Sequence, residues 1–361
     1  MSLLLSIDVQ PAAFLHLQEE VTAATLAWLQ RGGAPADPRA VERLFGRAGV
    51  AARSSALPLS DVFTEDTFAG RNRVYRRSMI EAGIRISRAA LVSARIDSVD
   101  IIVSSSCTGF MIPSVDAHIA NELKLGPRIA RLPITESGCA GGAVALARAS
   151  DFVQAHPRSA ALVAAIEFSS LTFQARDFSA TNLVAMALFA DGAAGVVLVG
   201  VDHPAAGRAT AELVSTQSHF LPNSLGAMGY DVVESGLKLV LDKRLPDFLR
   251  GRLYPMIVEF LAESRARLAD ISAFAVHPGG RRVLDVVQEE VGLSPEQMEP
   301  SRAVLREHGN MSSATILFVL KRALGGIPPD GLALGIGFGP GFTIELSLWR
   351  DRKAEPSPAL S

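Results

Sequence analysis

An α/β chain made of two similar halves follows from three features of the amino-acid sequence. Helical periodicities alternate with short β-branched runs along nearly the whole chain. One order of signals also occurs twice: an apolar strand, a loop with a reactive side chain, then a helix start that carries another. Finally, 361 residues at 48% hydrophobic and 20% charged exceed one ordinary globular unit and are too apolar for a disordered chain.

Apolar positions at helical spacing predict helices over 15–29, 78–94, 115–123, 140–155, 253–268 and 312–324, and 100–103 is a β-branched strand run. In the first half, Val99-Asp-Ile-Ile-Val-Ser-Ser-Ser leads into Cys107-Thr-Gly, and Ser137-Gly-Cys139-Ala-Gly-Gly opens a helix of small residues. In the second, Ile271-Ser-Ala-Phe-Ala-Val leads into His277-Pro-Gly-Gly, and His308-Gly-Asn310-Met-Ser-Ser opens another. Cys107 and Cys139 are 32 positions apart, His277 and Asn310 33. Each half then closes on a glycine-broken strand, 189–199 and 335–345. The boundary falls near 202–207, giving halves 1–205 and 206–361, and 353–361, with Pro356 and Pro358 among small residues, reads as a loose tail.

Composition excludes several classes of function. A net charge of −2 leaves no basic footprint for nucleic acid and no polybasic membrane anchor. Two cysteines, Cys107 and Cys139, cannot build a disulfide framework or a cysteine-rich zinc site, which points to a reducing compartment. The longest apolar stretch, 183–201, is interrupted by Asp191 and three glycines, and 1–7 lacks a basic leader, so a cytoplasmic protein without a membrane span is expected.

Cys139 lies between glycines at a predicted helix start, where free backbone N–H groups and the helix dipole favour a thiolate. A thiolate becomes a useful nucleophile when a histidine and an amide donor converge on it, and His277 and Asn310 stand on loops at element ends. The local signature of papain-like proteases is missing. The Gly335-Ile-Gly-Phe-Gly-Pro-Gly run is followed by an alternating strand, 342–349, where a dinucleotide site needs a helix.

Together, Gly138-Cys139-Ala-Gly-Gly, Ala187-Leu-Phe189-Ala-Asp-Gly, His277-Pro-Gly-Gly, Gly309-Asn310-Met-Ser-Ser-Ala and Gly337-Phe-Gly-Pro-Gly resemble type III polyketide synthases, the chalcone synthase family. The resemblance runs from about Arg43 onward, and its last two motifs separate this family from ketoacyl synthases of the same fold. It implies a thiolase-like fold of αβαβα layers in a homodimer, with acyl-CoA and malonyl-CoA as substrates and no resident cofactor or metal. Cys139 is then the acyl-carrying nucleophile, while His277 and Asn310 stabilise the thioester oxyanion and the enolate left by malonyl decarboxylation. Phe189 matches the aromatic gate between the coenzyme A tunnel and the cavity; Thr108, Thr172 and Ser312 match cavity positions. Arg43 and Arg47 match two basic coenzyme A positions on the first helix; Ala40 stands where a third lysine is usual, leaving Arg39 as its substitute. Gly279 and Gly280 match backbone positions near the coenzyme A arm.

Departures from the plant pattern indicate a bacterial type. Leu239 replaces the second gate phenylalanine, Tyr230 a cavity glycine, and Cys107 and Ser169 stand where plant enzymes have threonine. Cys107-Thr-Gly-Phe-Met resembles tetrahydroxynaphthalene synthases, which prime with malonyl units. The longer Glu167-Phe-Ser-Ser-Leu-Thr-Phe-Gln, with 182–191, resembles alkylpyrone and alkylresorcinol synthases, which prime with fatty acyl chains. The resulting expectation is an aliphatic starter, malonyl-CoA extension and an alkylpyrone or alkylresorcinol product. The alternatives are a malonyl-primed tetrahydroxynaphthalene-type synthase and a single-step ketoacyl synthase served by an acyl carrier protein. The family's first glycine-rich strand is not recognisable, and residues 1–15 carry no assignment.

Overall fold

A computed structural model describes residues 1–34, 37–64 and 67–352; the tail expected at 353–361 lies outside the described residues. The duplicated signals fold into duplicated strand order. In the first half β1 (Ser2–Pro11) lies beside β7 (Asp191–Gly200), then β6 (Ala160–Phe168) and β4 (Ile101–Ser105); β4 and β6 are parallel, the other pairs antiparallel. In the second half β8 (Ala211–Phe220) lies beside β13 (Thr343–Asp351), β12 (Leu332–Gly339) and β11 (Ile271–Val276), again with only the last pair parallel. Beyond β4, β5 (Ala130–Ile134) adds a parallel edge strand. The half-sheets join through the short β1–β8 pairing, Ser2–Leu4 against Leu213–Ala211.

Helices sandwich this surface into five layers. Outside the first half-sheet pack α4 (Phe68–Ala94) and α5 (Val115–Glu122), whose Ile86, Ala90 and Ile119 meet the Leu162, Ile166 and Val197 face. Between the half-sheets run α6 (Gly141–Ala155) and α11 (Thr315–Gly325), and their Leu146, Leu317 and Leu320 share one core with Val163, Leu198, Ala275 and Trp349. Outside the second half-sheet lie α8 (Leu253–Glu263), α9 (Arg281–Val291) and α10 (Pro295–His308). Being covered on both faces explains why β6 and β7 are buried throughout and read as unbroken apolar runs. No described helix is long and apolar enough to cross a membrane.

Several sequence boundaries move. Residues 15–17 end the small strand β2 (Phe14–Leu17), paired with β3 (Ala52–Ser55), and α1 (Gln18–Arg31) begins after it. The segment without an assignment holds the central strand β1. The helix expected to 268 stops at Glu263, where Arg265 takes a left-handed φ of 56°. The single strand expected over 335–345 is two antiparallel strands joined by a turn at Pro340–Phe342. Arg43 and Arg47 lie on the second helix, α2 (Pro38–Arg47), and not the first. A short helix α3 (Leu59–Val62), the helix α7 (Ala180–Leu188) and the hairpin β9 (Met228–Val233) with β10 (Gly236–Leu241) complete the fold.

Candidate active site

The two central helices start at one place, and that place holds Cys139 and Asn310. Cys139 sits in a 3-10 turn, Gly138–Ala140, that feeds α6, and a second such turn, Ser312–Ala314, feeds α11. Two glycines permit the approach. Gly138 has a φ of +50°, and a Cβ there would lie 2.7 Å from Pro340 Cδ; one on Gly142 would lie 2.1 Å from the Ser313 carbonyl oxygen. The side chains of Ser312 and Asn310 come near the Cys139 thiol and favour its thiolate.

Asn310 is held as a donor. Its Oδ1 accepts from the Ser312 N–H at 2.9 Å and the Thr315 hydroxyl at 3.2 Å, which leaves the amide NH₂ for the thiol side. Its backbone donates to Leu188 and accepts from Ala190, pinning the segment that carries Phe189. His277 follows β11, its N–H bonded to Ile336 of β12 at 2.8 Å. The end of β12 abuts the cysteine turn, where a Cβ on Gly339 would lie 2.4 Å from Ala140 Cβ. Both His277 ring nitrogens are buried with no hydrogen-bond partner among the described residues, so the ring is free to exchange a proton or donate to a substrate.

Electrostatics correct one expectation. Burial pushes the Cys139 thiol up to about 11 and outweighs the hydrogen bonds from Ser312 and Asn310 that favour its thiolate; it drives the His277 imidazole down to about 3. The resting site is therefore neutral, not a standing thiolate at a helix start.

The structure adds a residue that the sequence motifs had quoted without a role. Glu167 is fully buried at the end of β6; one oxygen accepts from Ser106, the Cys107 N–H and Thr108, the other from Ser313 and the Cys107 thiol. It ties the Cys107 loop to the Asn310–Ser313 turn. Thr108, expected on the cavity wall, is spent in this knot, donating to Glu167 at 2.8 Å and accepting from Phe168. A second buried ion, Arg53, donates to the carbonyls of Met186, Ala187 and Phe189 at the end of α7 and so fixes the backbone that carries Phe189.

A cavity of about 420 Å³ opens beside this centre, lined by Phe68, Cys107, Gly138, Tyr230, Leu237 and Pro340 among others. The Tyr230 hydroxyl lies near the Thr172 side chain. Leu237 lines the cavity; Leu239, the residue expected there, is Tyr230's cross-strand partner two pairs further along the hairpin. Ser169, Thr172 and Phe189 line a smaller pocket with Met186 and Phe173. Gly280 lies against Leu188, the neighbour of Phe189, and Gly279 against the His277 ring. Arg43 pairs with Asp37 at 3.5 Å, and Arg47 is exposed.

Cys107 and Cys139 are distinguishable. Cys107 is pushed well above the usual thiol range by burial and then by the Glu167 carboxylate, which faces it directly; Cys139 has two donors lowering its shift. Iodoacetamide should therefore alkylate Cys139 first, faster as pH rises and the thiolate fraction grows, as peptide mass spectrometry reads directly. Preferential labelling of Cys107 would contradict this ordering.

The comparisons agree with the geometry. The family model described as chalcone and stilbene synthases, N-terminal domain, matches residues 58–203, and that for the C-terminal domain matches 212–351. A 1,3,6,8-tetrahydroxynaphthalene synthase of Streptomyces coelicolor is 35% identical over 310 residues, 85% of this chain and 81% of that protein. The α-pyrone synthesis polyketide synthase-like Pks18 of Mycobacterium tuberculosis is 29% identical over 324 residues, 86% of this chain and 82% of that one. The crystal structure of the Streptomyces coelicolor enzyme superposes with a TM-score of 0.90 at 32% identity, covering 98% of this chain and all of that one. With a buried cysteine, histidine and asparagine at the junction of two repeated halves, the chain belongs to the chalcone and stilbene synthase family and is a type III polyketide synthase.

Proposed function

We propose that the enzyme takes an aliphatic acyl-CoA starter onto Cys139, extends it with malonyl-CoA by decarboxylative Claisen condensation, and closes the chain to an alkylpyrone or alkylresorcinol. In this reading the half 1–205 carries the acyl group and 206–361 supplies His277 and Asn310. The observation that carries the starter assignment is the cavity wall: Phe68, Phe110, Val232, Leu237 and Pro340 make most of its lining apolar. Arg43, Arg47, Gly279 and Gly280 hold the coenzyme A arm, and Phe189 stands between that arm and the cavity. A homodimer is supported by the exposed Phe110 and Ile112, the latter 75% exposed, beside the open β5 edge. The unbridged Cys107 and Cys139 support a cytoplasmic site.

A malonyl-primed reading has its own support. The relatives named tetrahydroxynaphthalene synthase are 34–35% identical, above the 29% of the pyrone synthase. Malonyl-CoA offered with a panel of acyl-CoA starters separates the two. Aliphatic starters should exceed coumaroyl-CoA in kcat/KM, with preference graded over chain length, since one methylene in an apolar pocket is worth about 1–3 kcal/mol. Two or three extensions are expected, and Tyr230→Gly should lengthen products, because its ring fills cavity volume. Malonyl-CoA alone as the best primer would select the second reading. Cys107→Ser, a change in the cavity wall, should alter product ratios with modest loss of rate.

A further inference from the structure

Among the described residues, one charged side chain lines the cavity beside Cys139, and it is Glu136. Most of that wall is apolar, and Cys107, Thr135 and Tyr230 add neutral polar groups. No described lysine, arginine or histidine stands on it to balance the acid. The Glu136 side chain is exposed, and its carboxylate has no hydrogen-bond or ion-pair partner among the described residues. The other acid near this centre, Glu167, is buried beside Cys107 with both oxygens held by protein donors.

The backbone fixes where this charge stands. Glu136 lies in the short link between β5 and the turn that carries Cys139, and both ends of the link are tied down. The Ile134 carbonyl accepts from the Ser106 N–H at 3.1 Å, and Gly138 is packed on Pro340. Three residues reach at most about 11 Å, so the carboxylate and an acyl chain carried by Cys139 share one small space. Apolar walls concentrate the field of a fixed charge there, and salt screens it only partly over a Debye length of about 8 Å.

We propose that Glu136 selects the starter by charge, repelling acyl groups that carry a free carboxylate and admitting neutral ones. The proposal rests on the reading that Cys139 takes an aliphatic acyl starter, and it names what that starter must lack. Malonyl-CoA used as a primer belongs to the repelled class, because its carboxylate stays one methylene from the thioester carbon. An apolar wall by itself disfavours a carboxylate through desolvation; a fixed negative charge adds a repulsion that acts at a distance. An amide of the same shape removes the second effect and leaves the first.

The test compares three starters of one chain length: hexanoyl-CoA, adipoyl-CoA, which ends in a carboxylate, and the methyl ester of adipoyl-CoA. Each is offered with malonyl-CoA to the full-length enzyme. The wild type should use adipoyl-CoA least. Glu136→Gln should raise kcat/KM for adipoyl-CoA about tenfold relative to hexanoyl-CoA, mainly through KM, with a far smaller gain for the methyl ester; Glu136→Asp, which keeps the charge, should keep the wild-type order. Added salt should narrow the adipoyl deficit in the wild type more than in Glu136→Gln. An adipoyl-to-hexanoyl ratio equal in wild type and Glu136→Gln would overturn the proposal and leave exclusion to desolvation. A methyl ester that gains as much as the free acid would overturn it in favour of shape. Efficient priming by malonyl-CoA alone, with hexanoyl-CoA unused by the wild type, would instead remove the aliphatic-starter reading beneath it.

Discussion

Cys139→Ala should abolish condensation, because the acyl chain then has no sulfur to occupy between extensions. The site offers no evident substitute nucleophile. Cys107 is held against the Glu167 carboxylate and raised well above the usual thiol range, while the Ser312 hydroxyl shares a hydrogen bond with the Cys107 thiol at 3.3 Å. Acylation of the protein and product formation should vanish together, measured by intact-protein mass spectrometry and chromatography of the products. Normal product from the alanine variant would remove the nucleophile assignment.

The second large effect lies in the donors. His277→Ala and Asn310→Ala should each lower malonyl-CoA decarboxylation by about 10² or more, the usual cost of removing one organised donor from a developing oxyanion. Asn310→Asp is the sharper variant. The Oδ1 atom already accepts from Ser312 and Thr315, so aspartate keeps those contacts while it replaces the NH₂ donor by an acceptor beside the thiol. That carboxylate would raise the thiol further and repel the enolate, and release of labelled carbon dioxide should fall at least as far as in alanine. Wild-type decarboxylation in Asn310→Asp would show that the amide does not face the reacting oxygen.

The three candidate residues were legible as positions because each sits where the chain must turn: Cys139, His277 and Asn310 stand at element ends marked by glycines, while their roles came from the family resemblance. The doubled topology was legible for the same reason, since strand, loop and helix start recur in order. Residues whose roles come from distant partners were not. Glu167 bonds Cys107 across 60 positions and Ser313 across 146; in sequence it is one acid at the end of an apolar strand, and that misfit was the available signal. Arg53 reaches α7 across more than 130 positions with no local pattern at all. Central strand β1 was missed because it lacks the glycine-rich form expected of it, although Leu3, Leu4 and Leu5 are all buried. The resting state of Cys139 differs from the expectation because local sequence shows a helix start and not the depth of burial, which is the largest influence on this thiol.

The central claim, that one cysteine site carries a chain through repeated decarboxylative condensation, is tested most directly by a single incubation with an acyl-CoA starter and uniformly ¹³C-labelled malonyl-CoA. Mass spectrometry of the Cys139 peptide and of the released products should show the starter on that sulfur, followed by products heavier by whole labelled two-carbon units, with one labelled carbon dioxide released per unit. An acylated Cys139 that returns only the hydrolysed starter, or labelled units gained without loss of carbon dioxide, would contradict it.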